Sequence, residues 1–253
     1  MDEGKVTLLH LPSCGSTNVY LKEHTAEFAP VGAVYTMNQT AGRGRLGRTW
    51  ENAADQALYY SAVLAGPLAQ PETLPQLASL LVARALTERY GVQCQIKWPN
   101  DLLVNGKKIV GILCESTETP AGRVWIAGIG INLAQPQRYF DAAGLPHGSS
   151  LALCGAAVDA PADAPALAAR LTALFAAAQP AFAAQGFAPL RAAYKAACVN
   201  LGRQVEYPVP GGGTARGTAA DVDEAGRLVV RTAQGETAVF TGEVSVKGIY
   251  GAV

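Results

Sequence analysis

Apolar positions fall into two regimes along this chain. Up to about residue 200, extended apolar runs alternate with helical stripes, and from about Leu201 the pattern breaks into short β runs. Val6–Leu11 reads as a first strand, after which Pro12-Ser13-Cys14-Gly15 turns the chain into Ser16-Thr17-Asn18, whose hydroxyl and amide groups suit the start of a helix through Val19-Tyr20-Leu21. Ala33–Asn38 and Ala57–Leu64 are further strands, the second with Tyr59 and Tyr60 at its middle. Leu74–Tyr90 is the clearest helix. Thr73 and Gln76 form a capping-box pattern, Pro75 falls in the first turn, Leu77, Leu81 and Ala85 share a core face, and Gly91 is the stop.

Gln93–Trp98 is a short strand, and Leu102–Val104 pairs with Lys108–Glu115 across Asn105-Gly106, the residues a type I′ hairpin prefers. Arg123–Leu133 is a buried strand interrupted by Gly128 and Gly130. Such glycines weaken a strand and are accepted where something approaches the backbone, here a flat ligand with Asn132 as a polar tip. Leu151–Gly155, Ala164–Ala178 and Leu190–Cys198 are predicted helical. Leu167, Leu171, Leu174 and Phe175 line one side of the second, and Pro180 bends or ends it. Turn signals at Gly211-Gly212-Gly213, Asp223–Gly226, Gln234-Gly235 and Gly242, with Val244 and Val246 alternating, predict a small five-stranded barrel of about 50 residues.

A chain of 253 residues can hold a large and a small domain without staples. Twenty basic residues against twenty acidic argue against a general nucleic-acid surface. Five cysteines with no C-x-x-C pair indicate neither a metal knuckle nor a disulfide framework, so reduced thiols in a cytoplasmic protein are expected. Met1-Asp2-Glu3-Gly4-Lys5 lacks an apolar export core, and no apolar run approaches a membrane span, so no membrane partner is expected.

The charge is balanced overall but concentrated locally. Gly42–Trp50 reads Gly-Arg-Gly-Arg-Leu-Gly-Arg-Thr-Trp, with three glycines and three arginines in nine residues. Glycine allows the backbone close to a ligand and arginine forks match phosphate or carboxylate oxygens, so this loop is built to hold an anion. Gly42, Gly44 and Gly47 also spell G-x-G-x-x-G, yet Thr49–Gln56 shows no helical stripe and the only acid near the ribose position is Glu72, so the dinucleotide reading fails on context. Arg43-Gly44-Arg45 also suits an A·T-rich minor groove, or an ordinary loop with solvated arginines.

Lys97-Trp98-Pro99-Asn100-Asp101 puts a cation, a large aromatic, an amide and a carboxylate at one strand end, where binding residues collect in α/β folds. Lys108 reads either as a turn residue or as a cation pointing into a site, and Ser16 and Thr17 as caps or ligand contacts. Gln39, at the base of the arginine loop, offers a donor and an acceptor to a urea or amide ligand. No Walker A lysine, H-E-x-x-H or G-x-S-x-G motif occurs, and only His10, His24 and His147 are available as histidine bases. The equipment is that of electrostatic stabilisation of phosphoryl chemistry.

Ser16-Thr17-Asn18, Gln39 through Trp50, Lys97–Asp101, Lys108 with Gly111, and Gly128–Asn132, in that order, resemble the signature of biotin protein ligases, from about Leu8 to Val246. The resemblance implies an α/β (α+β) fold: a mixed-sheet catalytic domain over residues 1–200 and a small SH3-like barrel over 201–253. It implies that biotin's carboxylate attacks the α-phosphate of ATP with Mg²⁺, and that biotinyl-5′-AMP then acylates a lysine of a biotin carboxyl carrier protein or another biotin-dependent carboxylase domain. By resemblance, Ser16, Thr17, Asn18, Gln39, Gly42, Arg43, Lys108, Gly111 and Gly128 line the biotin side, and Arg45, Arg48, Trp50, Lys97, Asn100 and Asn132 the adenylate side. Lys108, Arg43, Arg45 and Lys97 are the implied catalytic cations, and Asp101 either helps to hold Mg²⁺ or orients the lysines.

Members differ before Ser-Thr-Asn, where this chain has Gly15. With about fifteen residues before Ser16, an operator-binding helix-turn-helix is not expected, and a monomer or homodimer is. The alternatives are a lipoate or octanoate ligase of the same fold, whose ligand lacks a ureido ring, and a minor-groove DNA binder, against which the zero net charge argues.

Overall fold

The computed structural model describes residues 6–209, 211–240 and 244–246; Met1–Lys5, Gly242 and the stretch after Val246 lie outside the described residues. Seven strands form the first sheet: β1 (Thr7–His10), β2 (Val31–Thr36), β3 (Ala57–Ala65), β4 (Gln95–Lys97), β5 (Asp101–Val104), β6 (Lys107–Thr119) and β7 (Gly122–Asn132), in the order β1-β2-β3-β7-β6-β5-β4. Only β1 and β2 pair in parallel, so the sheet is mixed.

Strand parity sorts the core between its two faces. Ala33, Tyr35, Ala62 and Leu64 join Leu77 and Val82 of α2 (Leu74–Tyr90) and Leu167, Leu171 and Phe175 of a long helix, Ala160–Gln185. Val34 and Val63, one residue out of phase, pack on the opposite face with Phe28 and with Leu21 of α1 (Thr17–Glu23). Among the described residues two further α-helices occur, α3 (Gln137–Ala142) and α5 (Arg191–Ala197), which makes the long one α4. By length and composition α4 could cross a membrane, but its Leu167, Leu171 and Phe175 belong to the sheet's core.

Several elements differ from expectation. Thr73 makes no side-chain cap; its hydroxyl donates to the Gln70 carbonyl, and the Gln76 amide is drawn away to the Gly226 carbonyl, a tertiary partner that local pattern cannot reveal. Leu151–Gly155 is a run of turns. α4 begins four residues early, where Asp159 accepts from the Ala162 amide, and continues through Pro180 because Phe182 beyond it is still buried in the same core. The hairpin between β5 and β6 is as the pattern predicts, with Asn105 and Gly106 both at positive φ (51° and 72°).

The second sheet comprises β8 (Gln204–Pro208), β9 (Thr214–Val222), β10 (Leu228–Thr232), β11 (Gly235–Val239) and β12 (Ser245–Val246), antiparallel in the order β11-β10-β9-β8-β12. Its Val205, Tyr207, Val222 and Val230 share one core with Ile96, Trp98, Leu103 and Tyr194 of the first part. Trp98 is the joint. Its indole N–H donates to the Gly226 carbonyl at 2.9 Å, its backbone amide donates to Asn200 Oδ1 at 2.8 Å, and Gln76 Nε2 adds a second bond to Gly226 at 3.0 Å.

Trp98→Phe removes one of the two side-chain donors on a buried carbonyl together with part of a buried ring, and should cost about 1–3 kcal/mol. The measurement is the urea midpoint at constant m-value; an unchanged midpoint would show that Trp98 does not fasten the second sheet.

Candidate active site

The site lies on the α1 face of the first sheet, where strand register lines up a row of residues. Tyr59 pairs with Gly130, Gly130 with Gly111, Gly111 with Asp101, and Asp101 with Lys97. The two central places carry no side chain, and the Trp50 ring occupies the space. A Cβ on Gly130 would stand 2.5 Å, and one on Gly111 2.4 Å, from atoms of that ring. In the next row Ser61 pairs with Gly128, where a Cβ would come within 2.2 Å of Asn18 Oδ1. The glycines thus admit protein side chains, an indole and a carboxamide, close to the bare backbone of the sheet.

Gly42–Trp50 is a closed hairpin, tied by Trp50 N–H to Gly42 O (3.1 Å) and Gly44 N–H to Arg48 O (2.7 Å), with Leu46 and Gly47 at positive φ at its tip. Gly42 sits beneath it, where a Cβ would meet Trp50 O at 2.3 Å. Arg45 Nη1 donates to Asn100 Oδ1 at 2.8 Å, so the loop meets the Lys97–Asp101 segment, and Asn100 is itself anchored by its Nδ2 to Ile112 O at 2.9 Å. Arg43 Nη1 is 3.4 Å from Glu115 Oε1.

At the other end of the cavity the polar groups are interlocked. Gln39 Oε1 accepts from the Thr17 amide (2.9 Å) and hydroxyl (3.2 Å), satisfying a first-turn N–H of α1 from outside the helix. Ser16 makes no side-chain cap there. Ser61 Oγ lies 2.7 Å from both Thr17 Oγ1 and Asn18 Oδ1, and Asn18 Nδ2 donates to Leu113 O (3.1 Å) and to Glu115 Oε2 (2.8 Å).

Lys108 enters from the start of β6, its backbone held by His147 O and the Ser149 amide. Its Nζ is 2.8 Å from Asp101 Oδ1 and 5.5 Å above the Trp50 ring. That oxygen makes no aligned hydrogen bond, so the close pair is ionic in character. Asn132 donates to Ser149 O and accepts from Gln135 Nε2.

All the sequence-predicted site residues except Gly42 line one cavity of about 640 Å³. Four features escaped the sequence reading: Ser61, hidden as one small residue of a buried strand; Glu115, at the end of an apolar run; the aperiodic segment Tyr139–Gly148; and Val244, just before β12, with Val246 inside it, seen only as alternation. Lys22 and Asn18, with Arg43 nearby, hold the Glu115 carboxyl below its ordinary range despite burial, which by itself would raise it. Burial pushes the Tyr59 hydroxyl and the Cys114 thiol up, and neither is poised as a base or nucleophile at neutral pH. The cavity therefore offers fixed cations and dipoles around an aromatic platform, the equipment to stabilise developing negative charge.

Two family models match the chain: the Biotin/lipoate A/B protein ligase family over residues 11–132 and the Biotin protein ligase C terminal domain over residues 201–247. The biotin--[acetyl-CoA-carboxylase] ligase of Mycobacterium tuberculosis is 31% identical over 245 residues, covering 91% of this chain and 85% of the relative. The ligase of the same name from Paracoccus denitrificans is 33% identical over 227 residues, 85% of this chain and 90% of the relative. Among solved structures, the biotin protein ligase from Aquifex aeolicus in complex with biotin and ATP superposes with a TM-score of 0.76 at 26% identity, covering 95% of this chain and 98% of that one.

Gly130→Ala should drive a methyl group into the Trp50 ring and lift it off the sheet, at about 1–3 kcal/mol for the overpacking. Fluorescence checks this: the emission component lost in Trp50→Phe should shift to the red in Gly130→Ala. Unchanged emission would mean that the ring does not rest on this glycine.

Proposed function

As the chain belongs to the biotin protein ligases, we propose that its cavity joins biotin to ATP as biotinyl-5′-AMP and then passes the biotinyl group to a lysine of a biotin carboxyl carrier protein domain. In the first step a biotin carboxylate oxygen bonds to the α-phosphorus as the bond to pyrophosphate breaks. In the second, the carrier amine bonds to the acyl carbon and AMP leaves. The supporting observation is the Arg45–Asn100 contact at 2.8 Å, which joins two distant cationic segments beside the row that carries Lys108's partner Asp101.

The residue roles follow from what each group has left to offer. Gln39 Oε1 is committed to Thr17, so its Nε2 is the atom available to donate to the ureido carbonyl. Asn18, with both Nδ2 hydrogens and its oxygen bonded, supports the biotin end from behind Gly128. Lys108 turns from Asp101 toward the reacting carboxylate and then toward the charge developing at the anhydride, while Arg43 serves the biotin side and Arg45, Arg48 and Lys97 the phosphates. Trp50 covers the intermediate and limits the water that reaches it.

Asp101 faces Lys108 and, among the described residues, no three His, Cys, Asp or Glu side chains come together, so the residues do not fit a Mg²⁺ cage of their own. Mg²⁺ is assigned to the triphosphate as counter-ion. The division at about residue 200 is retained, the second part contributing Val244 and Val246 to the cavity wall. Five free cysteines accord with a reducing cytoplasm, and a monomer or homodimer is the proposed working unit, with no nucleic-acid partner.

Mass spectrometry of the protein mixed with MgATP and either biotin or lipoate tests the reading. Biotinyl-adenylate is expected with biotin alone; lipoyl-adenylate only, or no adenylate, would overturn it. Lys108→Gln keeps a polar partner for Asp101 but removes the cation, and should slow pyrophosphate release by about 10²–10³-fold, the scale of one lost oxyanion donor. Circular dichroism should show an intact fold, and near wild-type release would remove Lys108 from the chemistry.

A further inference from the structure

Glu115 stands outside the cavity wall and belongs to no motif of the sequence reading, yet it is where three separately built parts of the site meet. From β6 its Oε1 accepts Lys22 Nζ of α1 at 2.6 Å and stands 3.4 Å from Arg43 Nη1 of the arginine loop, while its Oε2 accepts Asn18 Nδ2 at 2.8 Å. Its side chain is only 15% exposed, whereas that of Arg43 is 51% exposed. A carboxylate so enclosed keeps its charge because cations and an amide surround it, and it stays in place when the exposed arginine swings away. The adjacent backbone is just as fixed, with Glu115 paired to Ile126 and Leu113 to Gly128 in the β6–β7 ladder.

The loop poses a problem that this carboxylate answers. Arg43, Arg45 and Arg48 lie within six residues on a glycine-rich hairpin, and like charges held so close repel one another. Arg45 donates to Asn100, and Glu115 sets a negative charge against Arg43. We propose that Glu115 is a positioning residue for biotin activation: it stands in for the substrate carboxylate's charge before substrate arrives, holding Arg43 and the base of the loop in binding posture. This rests on the reading of the cavity as a biotin site, but its physical core, the tethering of the loop, does not.

The magnitude is bounded by the exposure of Arg43. An ion pair with a half-exposed partner is worth at most about fivefold in an equilibrium. Glu115→Gln keeps the shape and one acceptor oxygen while removing the charge and the second acceptor, and Lys22→Met removes the other cation without touching the loop. In the free protein, tryptic cleavage after Arg45 and Arg48 should rise about three- to fivefold in Glu115→Gln and stay within twofold of wild type in Lys22→Met. That arm needs no ligand, so it stands even if the biotin reading fails.

With biotin and MgATP, Glu115→Gln should raise KM for biotin about three- to fivefold with kcat within twofold. In an Arg43→Gln background the same change should add less than twofold, because the group it positions is gone. A purely structural role would instead lower kcat with KM and persist in that background. Unchanged loop cleavage in Glu115→Gln, or penalties that multiply in the double variant, would overturn the proposal. Wild-type protein inert toward biotin but with the cleavage pattern intact would sink the substrate reading and leave the tether standing.

Discussion

Two missing side chains hold this site together. At Gly130 and Gly111, neighbours across β7 and β6, the sheet presents bare backbone, and the indole of Trp50 lies where Cβ atoms would otherwise stand. Each of those glycines carries the backbone-entropy cost of a residue poorly suited to a strand, and the long ladder between β6 and β7 absorbs it. Everything else is arranged around that platform. The arginine hairpin is anchored by Trp50 at its C-terminal end, Lys108 sits above the ring, and Asn100 and Asp101 reach it from the row's far side.

The second organising fact is that the polar groups are engaged with one another. Gln39 with Thr17, Asn18 with Ser61 and Glu115, Arg45 with Asn100, and Lys108 with Asp101 leave few donors and acceptors undetermined. A cavity wired in this way resists reorientation of its dipoles, which is the property that makes fixed charges more effective than solvent at stabilising a developing anion. Ligand binding then becomes an exchange of partners.

Much of the arrangement is legible in the residues. Parity in β2 and β3, the Asn105-Gly106 turn and the stripe of α2 follow from local geometry, because burial on one side imposes a period that a reader can see. The arginine loop and Lys97–Asp101 stand out because their composition is costly unless something is bound. What stays hidden depends on register. Nothing local in the strand sequences says that Gly111 and Gly130 face each other, that Glu115 is the counter-charge for Arg43, or that Gln76 serves Gly226, 150 positions away, instead of a cap. Leu151–Gly155 failed for the same reason, its backbone being taken up by Asn132 and Leu133.

The joint at Trp98 bears on how the molecule behaves among its own copies. A three-residue strand at the margin of a sheet is ordinarily an invitation to another chain, since its outward N–H and C=O groups are a template for pairing. In β4 that margin is occupied: Val199 N–H binds Ile96 O at 2.9 Å, and the side chain of Ile96 is buried in the core shared with the second sheet. The segment just ahead of the small sheet thus closes the border, and the small sheet covers the side chains of Ile96 and Trp98, which a chain without it would present to solvent. Colloidal behaviour and the geometry of the Lys97–Asp101 segment are therefore governed by the same few contacts.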